Sequence, residues 1–505
     1  MRILLIICTL ISFQHNDDNM SSIKKNVIYS CILTVSGYLF PLITFPYVTR
    51  VLGVENIGIC NFVDSIVQYF IYFSMMGIGT IGIREIARAK NNEKHLSKTF
   101  CNLFVLNILS TILAILALLI GVMFVPQLQE HKSLFFIGAA KVLSNTLLIE
   151  WLFKGLENFK YITLRSIIIR SLYVVSVFVF VKTTDDYIVY FFLTSFTVVV
   201  NAIVNMIHSR NFVQYDFKGL SIKGYIKPFV IMGTYMLLTS MYTTFNVAYL
   251  GMVTDTIQVG YYSTATKLYS LIMSFYTAFT GVMMPRMSTL FDEGRTNDIK
   301  KLIQKSIEVL LIFAMPIIII TEFSTSEIIQ IIAGKGYEGA IAPMRIIMPL
   351  MIVIGIEQVL VLQILTPMGQ DKYILNNSVV GAIVSLGLNV ILVKHLGCVG
   401  SAIVWGVSEV IILVLSYYYT RRLVGNVLSF HLIVKELLWN IPLILGLYLL
   451  LTIINNQRIY LITIIFVVLL YNFFVQVIIR KNELIIMAFS NIKSLMLGKN
   501  RGKAI

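Results

Sequence analysis

The chain is dominated by apolar runs, each about as long as a lipid bilayer is thick. A hydrocarbon core about 30 Å thick is crossed by about 20 predominantly apolar residues in a helix. The 505 residues carry 57% apolar and only 13% charged side chains, which excludes a water-soluble protein of this length. The sequence therefore predicts an all-α polytopic membrane protein. Its fourteen predicted transmembrane helices cover residues 27–47, 57–79, 101–125, 134–153, 162–181, 187–207, 229–250, 258–284, 303–321, 341–365, 374–393, 399–419, 437–454 and 459–479.

The distribution of Lys and Arg predicts how these spans are oriented. If the amino terminus is cytoplasmic, alternate loops and the two tails hold 31 of the 40 Lys and Arg residues, and the opposite loops hold 7. Cytoplasmic segments of membrane proteins carry such an excess. We therefore expect both termini in the cytoplasm. The same distribution explains the net charge of +15 without a nucleic-acid partner.

The first residues allow two interpretations. Residues 3–13 form an apolar run that is too short to span and resembles a weak signal sequence, but no small-residue cleavage site follows. The alternative is that translation starts at Met20, which leads directly into the first span. The second interpretation is the simpler one.

Two halves of the chain are similar in sequence. Gly58 and Gly260, which follow similar Leu-Gly motifs, are 202 residues apart, and so are Arg84 and Arg286 at the inner ends of spans two and eight. A duplicated unit of six spans keeps its orientation, so the halves form parallel repeats that place a substrate pathway between them. The predicted domains are a tail (1–25), an N-terminal lobe (26–210), an inter-lobe loop (211–227), a C-terminal lobe (228–422), two extra spans (423–480) and a basic tail (481–505).

Polar residues follow one face of the second and eighth spans. Placing a charged side chain at the bilayer centre costs about 2.5–3.5 kcal/mol of insertion free energy, so charged residues there indicate a functional or structural role. Spacings of three and four residues place a set on one helix face. We expect these faces to line a central water-filled cavity, although the hydroxyls have the alternative of bonding their own helix backbone. The candidate residues are Asn61, Asp64, Gln68 and Tyr72 in span two, and Ser263, Lys267 and Ser270 in span eight.

Four further polar residues lie in or beside the spans. Lys141 in span four is a second candidate cation for the cavity. Glu357 and Glu409, in spans ten and twelve, are candidates for carrying protons or a coupling cation, or are structural partners of lysines. Arg50, at the outer end of span one, is either an interfacial anchor or a ligand for substrate.

Span one also contains Pro41 and Pro46, each of which removes a backbone donor. The pair predicts a bent or broken helix that serves as a hinge, or a kink that neighbouring helices satisfy. The five cysteines show no metal-binding spacing, and no nucleotide-binding loop or hydrolase motif is present. We therefore predict no metal, no cofactor and no enzymatic activity.

Three stretches resemble a known family. They are Phe45-Pro-Tyr-Val-Thr-Arg-Val-Leu-Gly-Val-Glu-Asn-Ile-Gly58, Gly77-Ile-Gly-Thr-Ile-Gly-Ile-Arg-Glu85 and Glu150-Trp-Leu-Phe-Lys-Gly-Leu-Glu-Asn-Phe159. The chain is similar to the bacterial O-antigen (Wzx-type) polysaccharide flippases of the multidrug/oligosaccharidyl-lipid/polysaccharide exporter superfamily. Motifs cover chiefly the first 165 residues, and topology covers about residues 20–480.

The resemblance implies two six-helix lobes around a cavity in the bacterial inner membrane. It also implies alternating-access transport of undecaprenyl-diphosphate-linked oligosaccharides from the inner to the outer leaflet. Lys141, Lys267 and Arg50 are then candidates for the diphosphate; Asp64, Asn61, Gln68 and Tyr72 are candidates for the sugars. Possible protein partners are a polysaccharide polymerase and a chain-length regulator.

Two other functions remain open from the sequence. A multidrug exporter of the same superfamily shares the fold but extrudes cations, which two intramembrane lysines disfavour. A polysaccharide polymerase is also polytopic but typically has a large outer loop, and the longest one here covers only about residues 322–340.

Overall fold

The computed structural model describes residues 20–451 and 457–482, so the predictions for residues 1–19 and for the tail from 483 onward lie outside the described residues. The described part of the chain is helical and contains no strand. Its α-helices, numbered in chain order, are α1 (Met20–Met75), α2 (Ile78–Ala89), α3 (Glu93–Phe124), α4 (Pro126–Gln129), α5 (Lys132–Leu147), α6 (Glu150–Gly155), α7 (Phe159–Phe180), α8 (Tyr187–Ser209), α9 (Lys223–Ser240), α10 (Thr244–Val253), α11 (Thr256–Asp292), α12 (Thr296–Ile332), α13 (Ile341–Ile347), α14 (Leu350–Leu360), α15 (Asp371–Leu388), α16 (Lys394–Val424), α17 (Phe430–Leu451) and α18 (Gln457–Phe474).

These helices confirm the predicted membrane architecture. Eleven described segments are long and apolar enough to cross a bilayer. Two of them, Ile32–Ala89 and Asp371–Val424, contain 58 and 54 residues, more than twice what one crossing needs. Each breaks at a glycine with positive φ, at Gly53 (77°) and Gly397 (54°), and so supplies two crossings. The two long segments bring the number of crossings to thirteen. The seventh predicted span, divided between α9 and α10, is the fourteenth within the described residues.

The helices pack as two lobes with two helices added. In the first half, α1 packs against α3, α5 and α7, and α5 packs against α8. In the second half, α16 packs against α13, α14 and α15. The last helix, α18, lies against α12. The exact lobe bounds of 26–210 and 228–422 remain predictions.

The lobes approach each other closely at a pair of equivalent glycines. A Cβ atom built on Gly58 would lie 1.8 Å from the Thr256 carbonyl oxygen and 3.0 Å from the Gly260 nitrogen. A Cβ atom on Gly260 would lie 2.4 Å from the Val54 carbonyl oxygen. Val54 and Thr256 are themselves 202 residues apart, so the contact is reciprocal. Two parallel repeats about an axis along the membrane normal produce this geometry.

A second inter-lobe contact lies at the other end of the same helical segment. A Cβ atom on Gly77 would lie 2.5 Å from Met232 Cβ, and one on Gly233 would lie 2.3 Å from Met76 Sδ. Small residues of this kind let membrane helices approach closely. Glycine contacts thus join the two lobes near both ends of the second half of α1.

The N-terminal lobe holds a buried ion pair at a helix break. The backbone turns at Ile149 (φ 37°) and places Glu150 in the first turn of α6. Arg165 Nη2 lies 2.7 Å from Glu150 Oε1, and the Arg165 side chain is only 5% exposed. Arg165 also donates to Asn205 in α8. Three helices of this lobe are thus joined by one guanidinium.

The prolines of span one do not break the helix. Helical dihedral angles continue through Pro41 and Pro46, and the only non-helical residue inside α1 is Gly53. Glycine adopts positive φ without the steric cost that other residues meet. The break therefore falls at the predicted outer loop, and a hinge role for the two prolines remains a prediction.

Candidate functional site

A polar cavity of about 340 Å³ lies between the two lobes. Its walls come from the second half of α1, from α10 and α11, and from Trp405 of α16. Six of the predicted substrate-binding residues line it. The full lining consists of Asn61, Asp64, Ser65, Gln68, Thr243, Thr244, Val247, Tyr262, Ser263, Thr266, Lys267, Ser270 and Trp405.

The two facing walls are equivalent in the repeat. The lining positions of α1 recur at i, i+3, i+4 and i+7, which is one face of a helix. Each has a lining counterpart 202 residues later in α11: Asn61 and Ser263, Asp64 and Thr266, Ser65 and Lys267, Gln68 and Ser270. The duplication therefore places two polar faces opposite each other.

Lys267 brings a positive charge into this cavity without a direct ion pair among the described residues. Its side chain is exposed there, and its Nζ donates to Asn61 Oδ1 at 2.9 Å. The same Nζ lies 5.4 Å from the centre of the Phe45 ring, a favourable cation–π distance. Among the described residues no carboxylate oxygen lies within 4.0 Å of it. Lys267 is thus available to a negatively charged ligand.

Lys141 lies behind the wall and is paired. Its ammonium group forms an ion pair with Asp64, in which the Asp64 side chain is 44% exposed and that of Lys141 only 13%. The sequence placed both residues at the cavity but did not show this pairing, because α5 brings Lys141 to α1 from 77 residues away.

Two buried polar atoms of the wall have no hydrogen-bond partner within the part of the chain that the structure describes. They are Asn61 Nδ2 and Ser263 Oγ, at equivalent positions of the two lobes. A buried polar group without a partner costs about 1–3 kcal/mol, so each atom would gain stability from a water or ligand group that reached it. They flank the Lys267 side chain, which lies between their two helices.

Arg50 and Tyr72 lie outside the cavity. The Arg50 guanidinium donates to the Ile331 carbonyl at the end of α12, so it joins the first lobe to the second at the predicted outer surface. The Tyr72 ring packs edge-on against Tyr69 with 6.3 Å between ring centres. The Arg50 contact favours the anchor interpretation, and Tyr72 is not among the residues that line the cavity.

The acidic residues of spans ten and twelve lie beside the cavity. Glu409 is 5% exposed, and its Oε1 accepts a hydrogen bond of 2.9 Å from Trp405 Nε1. Glu357 is close enough to interact electrostatically with Glu409. Within the described residues neither carboxylate forms an ion pair with a lysine, so the structure does not support the structural-partner alternative. The sequence prediction missed Trp405, although it lies one turn before Glu409.

Comparison with protein families places the chain. Residues 23–291, more than half of the sequence, match the family described as "Polysaccharide biosynthesis protein". The chain belongs to this family. Over 411 residues it is 26% identical to a protein of Escherichia coli (strain K12) named "Putative O-antigen transporter", which covers 80% of this chain and 98% of that protein.

Solved structures with the same architecture support the fold. The lipid II flippase MurJ in an inward closed conformation matches with a TM-score of 0.71 at 16% identity, over 93% of this chain and 99% of that one. An inward-facing multidrug transporter of the MATE family matches with a TM-score of 0.62 at 11% identity, over 77% of this chain and 95% of the transporter. The polysaccharide biosynthesis family member therefore has the two-lobed fold that both transporters share and is a multi-pass membrane protein.

Proposed function

We propose that the protein is a flippase that moves undecaprenyl-diphosphate-linked oligosaccharide units across the bacterial inner membrane, from the inner to the outer leaflet, by alternating access. The observation that carries the proposal is the polar cavity between the lobes, with the free Lys267 in its wall. The family assignment and the name of the Escherichia coli relative support it.

The chemistry of such a substrate fits the cavity. A diphosphate with several sugars cannot enter hydrocarbon, because unpaired charge there costs tens of kcal/mol by Born solvation. Lys267 offers it a cation, and Asn61, Gln68 and Ser263 offer hydrogen bonds to sugar hydroxyls. A cavity of about 340 Å³ holds the diphosphate and part of the glycan, so larger units require the lobes to separate.

The lipid tail has an apolar path next to this site. A crevice of about 50 Å³ lies between the first half of α1 and α11, and nearly all of its surface is apolar. Leu39 and Leu42 line one side, and Leu271 and Phe275 line the other. Ser274 of the crevice lies one helical turn after Ser270 of the polar cavity on the same face of α11, so a head group in the cavity and a tail in the crevice are neighbours.

Glu357 and Glu409 are the proposed coupling residues. Trp405 joins the two sites, since it lines the cavity and donates to Glu409. A proton or cation that binds at Glu409 therefore changes the charge on a carboxylate that is hydrogen-bonded to Trp405, which itself lines the substrate cavity. Hinge bending at Pro41 and Pro46 would let the first half of α1 move between states.

The positive-inside distribution supports cytoplasmic termini, with most of the 40 Lys and Arg residues on that side. A polysaccharide polymerase and a chain-length regulator are the expected partners, because both act on the product at the outer leaflet. We propose no enzymatic role for the chain itself.

Deleting the gene tests the function directly. A flippase mutant accumulates lipid-linked oligosaccharide on the inner leaflet and loses surface polysaccharide, and a plasmid copy restores it. Normal delivery to the outer leaflet with lost chain growth would point to a polymerase. Increased sensitivity to cationic drugs with normal polysaccharide would point to a multidrug exporter.

A further inference from the structure

The charges around the cavity do not balance those of the proposed substrate. Within the described part of the chain the cavity wall carries Asp64 and Lys267, and Lys141 lies behind it. Asp64 pairs directly with Lys141 and also interacts electrostatically with Lys267, so the three groups together carry one net positive charge. A diphosphate that joins a lipid to a sugar carries two ionised phosphates at neutral pH. An uncompensated charge in such a site is costly, so a second cation is needed.

Lys141 is the cation best placed to supply it. It lies close enough to Lys267 for the two ammonium groups to interact electrostatically. Asp64 covers it from the cavity side, because the carboxylate is 44% exposed and the Lys141 side chain 13%. A ligand that enters the cavity therefore meets the carboxylate before it meets Lys141.

From this arrangement, and on the basis of the proposed function, we infer that Asp64 occupies the position on Lys141 that a phosphate group takes when the substrate binds. A carboxylate oxygen and a phosphate oxygen accept the same charge-assisted hydrogen bond from an ammonium group. In the empty cavity Asp64 also prevents repulsion between two uncompensated lysines. On binding, Lys141 exchanges the carboxylate for the diphosphate.

The exchange makes the site selective for ligands with two negative charges. A ligand with one negative charge pairs with Lys267 alone, and displacing Asp64 from Lys141 adds little to its binding free energy. A diphosphate gains contacts to both lysines, and the displaced Asp64 remains in the water-accessible cavity near Gln68. Asp64 is therefore a positioning residue that acts through Lys141 rather than a direct ligand for the sugars.

A double-mutant cycle with a simple anion tests the exchange. Binding of inorganic pyrophosphate to the full-length protein in lipid nanodiscs is measured by calorimetry for the wild type, Asp64→Asn, Lys141→Gln and the double variant. Asp64→Asn removes the competing anion and should raise the affinity about tenfold, and Lys141→Gln should lower it about tenfold because it removes one of the two cations that contact the diphosphate. The gain from Asp64→Asn should vanish when Lys141 is also replaced.

Two control variants accompany the cycle. Asp298→Asn removes the same charge from an exposed ion pair with Arg295 and should leave the affinity unchanged. Asp64→Glu keeps a carboxylate beside Lys141 and should show much less of the affinity gain than Asp64→Asn, which attributes the gain to the lost charge rather than to a change in folding.

An equal or lower pyrophosphate affinity in a folded Asp64→Asn protein would overturn the inference. A gain that persists without Lys141 would also overturn it. Neither result touches the flippase proposal, which depends on the leaflet where the lipid-linked oligosaccharide accumulates in the deletion strain. If Asp64 instead bonds sugars directly, Asp64→Asn leaves pyrophosphate binding unchanged, and the inference fails.

Discussion

Gly58 and Gly260 lie in contact across the two lobes, with the site of a Gly58 Cβ atom only 3.0 Å from the Gly260 nitrogen. A methyl group on Gly58 would also fall 1.8 Å from the Thr256 carbonyl, which is closer than any non-bonded contact. The backbones must therefore move apart if either glycine acquires a side chain. We expect this contact to close the cavity on its predicted outer side.

The Gly58→Ala variant should open that side. Labelling of a cysteine at position 263 by an impermeant thiol reagent, applied to intact cells, should increase about tenfold, since this needs a shift of only about 1.4 kcal/mol between the two states. Gly79→Ala is the matched control, because a Cβ atom there meets nothing within 4 Å. Equal labelling in both variants would show that the glycine contact does not control access.

Lys267→Ala should impair transport without reducing membrane insertion. The substitution removes the free cation of the cavity, and a hydrogen bond to a charged group contributes about 1.5–3 kcal/mol, or at least tenfold in binding. Surface polysaccharide and membrane abundance are measured together in the complemented deletion strain. Lys267→Arg keeps the charge and should retain part of the activity. Unchanged polysaccharide in Lys267→Ala would remove this residue from the pathway.

Glu150→Gln should destabilise the N-terminal lobe. It leaves the Arg165 guanidinium, which is 5% exposed, without its carboxylate. Breaking a buried pair costs about 3–5 kcal/mol, and we expect the lower end because Glu150 is partly exposed. Thermal unfolding of the purified protein measures the effect. Glu157→Gln is the control, since its pair with Lys90 is exposed and is worth about 1 kcal/mol or less.

Glu409→Gln should reduce transport that depends on an ion gradient while it preserves substrate binding. The amide oxygen still accepts the hydrogen bond from Trp405, so the geometry beside the cavity is kept. The substitution removes only the ability of the Glu409 side chain to gain and lose a proton or to bind a cation through its charge. Transport in proteoliposomes with and without an imposed proton or sodium gradient measures the change. A variant that responds to the gradient like the wild type would exclude Glu409 as a coupling residue.

His131 should make stability depend on pH. Burial lowers the pKa of this imidazole below its ordinary value of 6.5, with Glu130 acting weakly in the opposite direction. The folded protein therefore holds His131 neutral, whereas the unfolded chain takes up a proton first. The contribution to stability is complete above about pH 6.5 and is lost as the pH falls below it. Tm should consequently fall more steeply toward pH 5 in the wild type than in His131→Gln, and parallel curves would contradict this.

The sequence predicted the elements of the fold well because a bilayer permits few solutions. Span length, charge distribution and the repeat all follow from local patterns, and the polar faces of Asn61 and Lys267 follow from helical periodicity. Helical periodicity alone therefore predicts which residues form the two walls of the cavity.

Contacts between distant helices could not be predicted in the same way. The pairing of Asp64 with Lys141 depends on how α5 is rotated against α1, and periodicity within one helix does not determine that rotation. The position of Trp405 at the cavity depends likewise on packing between α16 and α11. The break at Gly53 lies in the predicted loop between spans one and two, whereas the helix continues through Pro41 and Pro46, where local sequence favours a bend.

The two walls of the cavity share a backbone pattern but differ in chemistry. Asp64 stands where the second wall has Thr266, and Lys267 stands where the first wall has Ser65. An ancestral duplicated transporter with identical walls would have accepted a cargo either way round. This chain has an acid on one wall and a base on the other, so a ligand in the cavity meets two chemically different walls, and a molecule with a single charged end has one preferred orientation there.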